Sequence, residues 1–200
     1  MKLNKKTVLS FFMIAMFLGS TLISLGGQLW GGNKNMDTII VLMTTMGNIE
    51  IKLAIEEAPI TTENFLSYVE SDYYDETVFH RVKPEFMIQG GGFIATGKQK
   101  ITGDPIVLES NNGLLNKRGT IAMARTTDPD SATSQFFINL IDNDFLDFTT
   151  ANDGYAVFGE VVEGMDVVDA IGIVKTATFG LYEDWPEEDV VILGAYLKEN

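Results

Sequence analysis

Three stretches of the chain gather residues that could do chemistry: Val78–Gly92 (VFHRVKPEFMIQGGG), Arg118–Leu140 (RGTIAMARTTDPDSATSQFFINL) and Asp142–Gly164 (DNDFLDFTTANDGYAVFGEVVEG). They offer arginines, amides and aromatic rings, and no activated nucleophile. The chain has no cysteine and one histidine, His80. Thiol chemistry, disulfides and thiolate or His-rich metal sites therefore fall away, and a Ser-His-Asp triad has little to draw on. Gly90–Gly92 lack the Gly-Lys-Ser/Thr that a phosphate cradle requires. Taken alone, Arg81 between His80 and Val82 is an ordinary exposed strand residue, His80 a structural one and Met87 core packing. Phe136 and Phe137 are neighbours on a strand and must face opposite sides; spacing does not say which faces a site.

The elements that would position these residues are read from pattern and composition. Apolar residues make up 46% and aromatics 10% of 200 residues, enough for one cored domain with an appendage. The net charge is −14, and Lys2, Lys5 and Lys6 stand ahead of any acidic residue, so the rest is more acidic still. Such a field repels phosphate backbones, and no nucleic-acid partner is expected. Residues 7–25 carry no charge, about the length that spans a bilayer core, and the lysines before them would stay in the cytoplasm. An uncleaved anchor is preferred over a cleaved signal peptide, for which Ser24 and Gly26 give a weak small-residue pattern. The expected organisation is a signal or anchor segment over 1–26, a linker over 27–36 and a folded domain over 37–200, placed outside the cytoplasm.

Within that domain the pattern is mainly β. Thr38–Thr44 and Ile49–Leu53 read as a hairpin around Met46-Gly47-Asn48. Pro59 opens a helix capped by a threonine, with Phe65, Leu66 and Val69 on one face. Short strands are expected at Val78–Val82, Phe86–Gln89, Ile106–Leu108, Thr120–Ala124, Gln135–Leu140, Tyr155–Val161 and Val190–Leu197, with a second helix at Met165–Ile171. Ala95–Asp104 and Lys175–Glu188 read as the least regular stretches, and Glu183–Asp189 as a solvated acidic loop with calcium binding open. Short strands, Gly- and Asp-rich turns and two helices indicate a barrel or a sandwich.

The three blocks resemble, in order and spacing, the signature blocks of the cyclophilins, and the resemblance runs from about residue 38 to 197. It implies a closed eight-stranded antiparallel β-barrel capped by two helices, with the N-terminal hydrophobic helix in addition. It also implies peptidyl-prolyl cis-trans isomerase activity. Carried over by position, the catalytic residues are Arg81, Phe86 and Gln89. The substrate-binding residues are Met87, Ala124, Arg125, Gln135, Phe137, Phe145, Leu146 and Tyr155. No cofactor or metal is implied; the partners are proline-containing polypeptides, and a monomer is expected. Four departures stand out. Phe145 replaces the tryptophan of the eukaryotic members that binds cyclosporin. Tyr155 replaces a histidine. Glu85 replaces the glycine of the V-x-P-x-F turn, and Gly92 a common aspartate.

The chemistry such a site must supply is modest. Rotation about an X-Pro bond is slowed by C–N double-bond character and takes about 10–100 s uncatalysed. Turning over about a thousand times per second requires lowering the barrier by roughly 6–7 kcal/mol. No bond breaks. In the twisted state conjugation is lost and the prolyl nitrogen's lone pair accepts a hydrogen bond, which a guanidinium supplies there and not to the planar amide. The resemblance gives that role to Arg81, with Gln89 and Gln135 holding carbonyls and the arginine. The alternative on the same fold is a peptide-holding chaperone module without catalysis.

Overall fold

Alternation of apolar and polar residues dictates the first hairpin. In the computed structural model, which describes residues 37–199, β1 (Ile39–Thr44) pairs with β2 (Gly47–Leu53) in antiparallel register from Ile39↔Lys52 to Thr44↔Gly47. Ile49, Ile51 and Leu53 point into the core while Asn48, Glu50 and Lys52 face outward. The segments expected at 1–26 and 27–36 lie outside the described residues. Among the described residues, no helix is long and apolar enough to cross a membrane.

Helix α1 (Pro59–Glu70) starts with proline at its first turn and buries Phe65, Leu66 and Val69. The expected threonine cap is not there. Ala58 holds the cap position without a side-chain bond, and Thr62 Oγ1 donates back to the Ala58 carbonyl at 2.8 Å. The free amides are met from a distance instead: Ile60 N and Thr61 N donate to the Glu109 carboxylate at 3.1 and 2.7 Å. An anion at a helix N-terminus also suits the dipole.

The remaining strands are β3 (Thr77–Val78), β4 (Arg81–Lys83), β5 (Met87–Gly90), β6 (Thr120–Met123), β7 (Phe136–Asn139), β8 (Val157–Glu163), β9 (Thr176–Phe179), β10 (Tyr182–Pro186) and β11 (Val191–Leu197). Helix α2 (Met165–Gly172) follows β8. Nine strands form one antiparallel sheet in the order β3-β11-β1-β2-β8-β6-β7-β5-β4. This corrects the expectation of a closed eight-stranded barrel: the sheet curls, but its hydrogen-bonded ladder does not close. The two end strands, β3 and β4, are successive pieces of one extended run and cannot lie antiparallel beside each other. Phe79 and His80 join them covalently where a ladder would otherwise run.

Three further expectations change. Ile106–Leu108 makes only an isolated bridge, Ile106↔Ala132. Lys175–Glu188 is not irregular, because β9 and β10 form a separate hairpin there. Nor is Glu183–Asp189 simply a solvated loop, since Trp185 is buried within it.

The main core lies inside the curl and joins Phe65, Tyr74, Phe79, Phe136 and Phe158 to the aliphatic side chains of β1, β2, β5, β6 and β7. Phe136 meets Phe65, Tyr74 and Phe79 edge-on at 5.7, 5.5 and 6.2 Å between ring centres, the geometry aromatic quadrupoles favour. A smaller cluster of Val78, Phe93 and Trp185 sits where the sheet's ends meet. His80 packs into it, 4.6 Å from Phe93 and 6.0 Å from Trp185.

Two consequences for stability can be measured. The turn into β5 is closed by Phe86 N donating to Lys83 O at 3.1 Å, with Pro84 second and Glu85 third at φ 58°, a type II arrangement that favours glycine. A left-handed residue with a Cβ costs about 1–2 kcal/mol, and glycine returns up to about 1 kcal/mol of that as unfolded-state entropy. Glu85→Gly is expected to stabilise by about 0.5–1 kcal/mol, a rise of about 1–3 °C in Tm by calorimetry. His80 is buried with an unpartnered Nδ1. Burial, reinforced by the Arg81 charge, lowers its pKa to about 4. The unfolded chain takes up that proton near pH 6.5 and the folded one only near 4, so stability falls as pH drops through this window. Urea unfolding at pH 7.5 and 4.5 should show this residue costing about 2–3 kcal/mol, and His80→Gln should remove that share. An unchanged pH dependence in the variant would refute the assignment.

Candidate active site

Strand register builds a row of side chains across the outer face of the curl. Arg81 stands opposite Gln89, Gln89 opposite Phe137, Phe137 opposite Ala122 and Ala122 opposite Val157. Because side chains alternate along each strand, Met87 and Gln89 share this face while Ile88 turns into the main core. The pair left open by the sequence divides the same way: Phe136 enters the main core and Phe137 this outer face. The result is a second apolar cluster of Met87, Ala122, Phe137, Leu146 and Val157, flanked by Phe86, Leu114, Ala124 and Tyr155.

A groove of about 110 Å³ opens over this cluster, lined by Arg81, Phe86, Met87, Gln89, Ala124, Arg125, Phe137, Leu146 and Tyr155. Nine of the eleven sequence-derived site residues therefore come together. The other two stand just outside. Phe145 is two-thirds exposed and stacks on Phe86 at 5.6 Å, extending the rim. Gln135 accepts a hydrogen bond from Gln89 Nε2 at 3.0 Å. The expected bonds from these glutamines to the guanidinium are not made. The two amides share that one bond, and Gln135 lies across Gly92, where a Cβ would stand 2.5 Å from its Cγ.

Arg81 and Arg125 differ in how their charge is held. Arg125 Nε and Nη2 both donate to the Gly154 carbonyl, at 3.1 and 2.8 Å, and its guanidinium lies 4.6 Å over the Tyr155 ring. It is committed to fixing that ring, which meets Phe137 edge-on at 5.6 Å. Gly154 allows this approach: it sits at φ 65°, and a Cβ there would stand 2.6 Å from the Phe148 amide. Among the described residues no group hydrogen-bonds the Arg81 guanidinium. It is half-exposed at the groove's edge, with the Asp184 carboxylate 3.8 Å from Nε.

Three buried asparagine amides, which carry no chemistry of their own and gave no signal in the sequence reading, hold the groove wall. Asn143 Nδ2 donates to Asn139 Oδ1 at 2.7 Å and to the Phe86 carbonyl at 3.0 Å. Asn139 Nδ2 donates to Asn116 Oδ1 at 3.3 Å, and Asn116 Nδ2 to the Leu146 carbonyl at 3.1 Å. Tyr155 N closes the set on the Leu146 carbonyl at 2.9 Å. Phe86 is some sixty residues from Leu146 and Tyr155 in the sequence, and the network ties all three together. Every side-chain amide atom of the three but Asn143 Oδ1 finds a partner, and such buried networks specify geometry more than they add stability.

The arrangement has two arginines at the rim of a small groove with largely apolar walls, and only Arg81 of the two has a guanidinium not hydrogen-bonded within the described residues. Among the described residues no cluster of three acidic or histidine side chains could hold a metal. The groove is well below the roughly 300–1,000 Å³ of drug-sized ligand sites, and suits one small ring.

The family model of cyclophilin type peptidyl-prolyl cis-trans isomerase/CLD matches residues 39–197. A peptidyl-prolyl cis-trans isomerase of Acinetobacter baylyi is 52% identical over 176 residues, covering 88% of this chain and 94% of that protein. Peptidyl-prolyl cis-trans isomerase B of Escherichia coli is 52% identical over 164 residues, covering 80% and 100%. Among solved structures, a Cryptosporidium parvum cyclophilin type peptidyl-prolyl cis-trans isomerase, crystallised in the presence of the dipeptide Ala-Pro, superposes with a TM-score of 0.70. It is 26% identical and covers 81% of this chain and 99% of its own. A match that takes in every strand from β1 to β11 and every residue lining the groove leaves one assignment: the chain belongs to the cyclophilin-type peptidyl-prolyl cis-trans isomerases.

Proposed function

We propose that the chain isomerises X-Pro bonds of polypeptides outside the cytoplasm, held there by residues 7–25, and that Arg81 assists the twist of the prolyl amide. The observation that carries the catalytic part is the cross-strand row. It sets a charged guanidinium at the edge of an apolar groove whose floor is Met87 and Phe137. The extracytoplasmic part rests on the basic start of the chain and the uncharged run after it.

In this reading the prolyl ring enters between Phe86, Met87, Phe137, Leu146 and Tyr155. A planar amide offers the guanidinium little, because its nitrogen lone pair is delocalised into the carbonyl. As the bond twists, the lone pair localises and accepts an N–H from Arg81. The interaction thus grows toward the transition state, which raises turnover instead of merely tightening binding. The twisted amide is less polar than the planar one, so a groove that excludes water favours it further. The Gln89–Gln135 pair leaves amide groups at the groove's edge for the backbone on either side of the proline.

Arginine suits this role because it stays charged and its planar fork is pre-organised. Losing one pre-organised donor costs about 10²–10³ in rate at other electrostatic sites. Arg81→Ala in the full chain is therefore expected to lower kcat/KM for a short X-Pro peptide by about 10²-fold, with circular dichroism unchanged. Arg81→Lys should recover only a small part. Near-full activity of a folded Arg81→Ala variant would overturn the mechanism.

A further inference from the structure

We infer that Asp184 is a positioning residue for the reaction, holding the Arg81 side chain in the orientation the twisted amide requires; the inference rests on the role proposed for Arg81. Asp184 Oδ2 lies 3.8 Å from Arg81 Nε. It does not line the groove, so it meets the guanidinium at its Nε edge from outside and leaves the terminal nitrogens uncommitted. An arginine has four flexible side-chain torsions and loses much rotamer freedom when held. With no hydrogen bond to the guanidinium among the described residues, the carboxylate is what selects among its rotamers.

The placement of Asp184 is built. Within the β9–β10 hairpin the register slips between Tyr182, opposite Phe179, and Trp185, opposite Ala177, so β10 carries one extra residue. Asp184 falls in this bulge at φ 60°, and bulges serve to re-aim side chains. Aspartate tolerates this left-handed backbone better than most residues. The next residue anchors the hairpin. Trp185 is buried, stacks on Phe179 at 4.8 Å, and lies 6.1 Å from Phe93 and 6.0 Å from His80. Its Nε1 donates to Asp189 at 3.1 Å. Tyr182 meets Phe93 edge-on at 5.0 Å. The hairpin is thus pinned against the residue immediately before Arg81. The carboxylate and the guanidinium are fixed to one aromatic cluster from two sides.

As an ion pair this contact is weak, because both partners are about a third or more exposed. Its effect is expected in turnover and not in folding. In the full chain, Asp184→Ala should lower kcat about five- to tenfold with KM changed less than twofold, and melting should fall by no more than about 1–3 °C, the cost of alanine at a left-handed position. Asp184→Glu should restore at least half of the lost kcat. On an Arg81→Ala background, Asp184→Ala should have no further effect on the residual rate measured at high enzyme concentration. A kcat within twofold of wild type for Asp184→Ala, or an equal loss on both backgrounds, would overturn the inference. Full activity of Arg81→Ala alone would instead remove the reading on which it rests.

Discussion

Phe79 and His80 join the first and last strands of a nine-stranded ladder, and the site depends on that junction. The chain leaves β3 at one end of the sheet and enters β4 at the other within two residues, which is possible only because the sheet has curled almost onto itself. The curl sorts side chains into an inner core and an outer face. It also places Arg81 on an end strand, where one flank is bonded to β5 and the other is open. A guanidinium in mid-sheet would be packed under neighbours on both sides. At the end of the ladder it can border a groove and still be reached by the β9–β10 hairpin.

The demand on the site is small, and the structure is proportionate to it. In the mechanism proposed above, lowering a rotational barrier by several kcal/mol needs no proton relay or covalent intermediate, only a donor that is favoured late and walls that exclude water. The division between the two arginines expresses this. Arg125 spends its hydrogen bonds on the Gly154 and Thr126 carbonyls and its ring-facing surface on Tyr155, making a wall rigid. Among the described residues the Arg81 guanidinium makes no hydrogen bond to the protein, only the 3.8 Å ion pair with Asp184.

Much of this could be read from the residues. Alternation in Ile49–Leu53 gave the hairpin, and the β-branched run before it gave its partner. The three blocks supplied the groove's lining, including the choice of Phe137 over Phe136 that periodicity could not make. What stayed hidden depended on contacts between distant segments or on strands without a hydrophobic signature. In β9 and the start of β10, exposed residues run on without alternation, so Trp185 looked like one aromatic in an acidic loop. The open ladder was also hidden, because Val78–Val82 reads as one strand and only the break at Phe79–His80 shows that its halves serve opposite ends. The helix cap failed for a related reason: Glu109 is remote in sequence, and nothing local marks it as the acceptor for Ile60 and Thr61.

The asparagine network has a dynamic consequence. Asn116, Asn139 and Asn143 belong to a loop, a central strand and the approach to the 3₁₀ turn Asp144–Leu146, and each satisfies a backbone or amide group of another segment. Releasing any one leaves a buried donor or acceptor of another segment without that partner, so these pieces cannot fray independently. The groove wall from Phe86 through Leu146 to Tyr155 then opens as one cooperative unit. Its amides would exchange with solvent together, at the cost of the whole network instead of a single loop's local fluctuation.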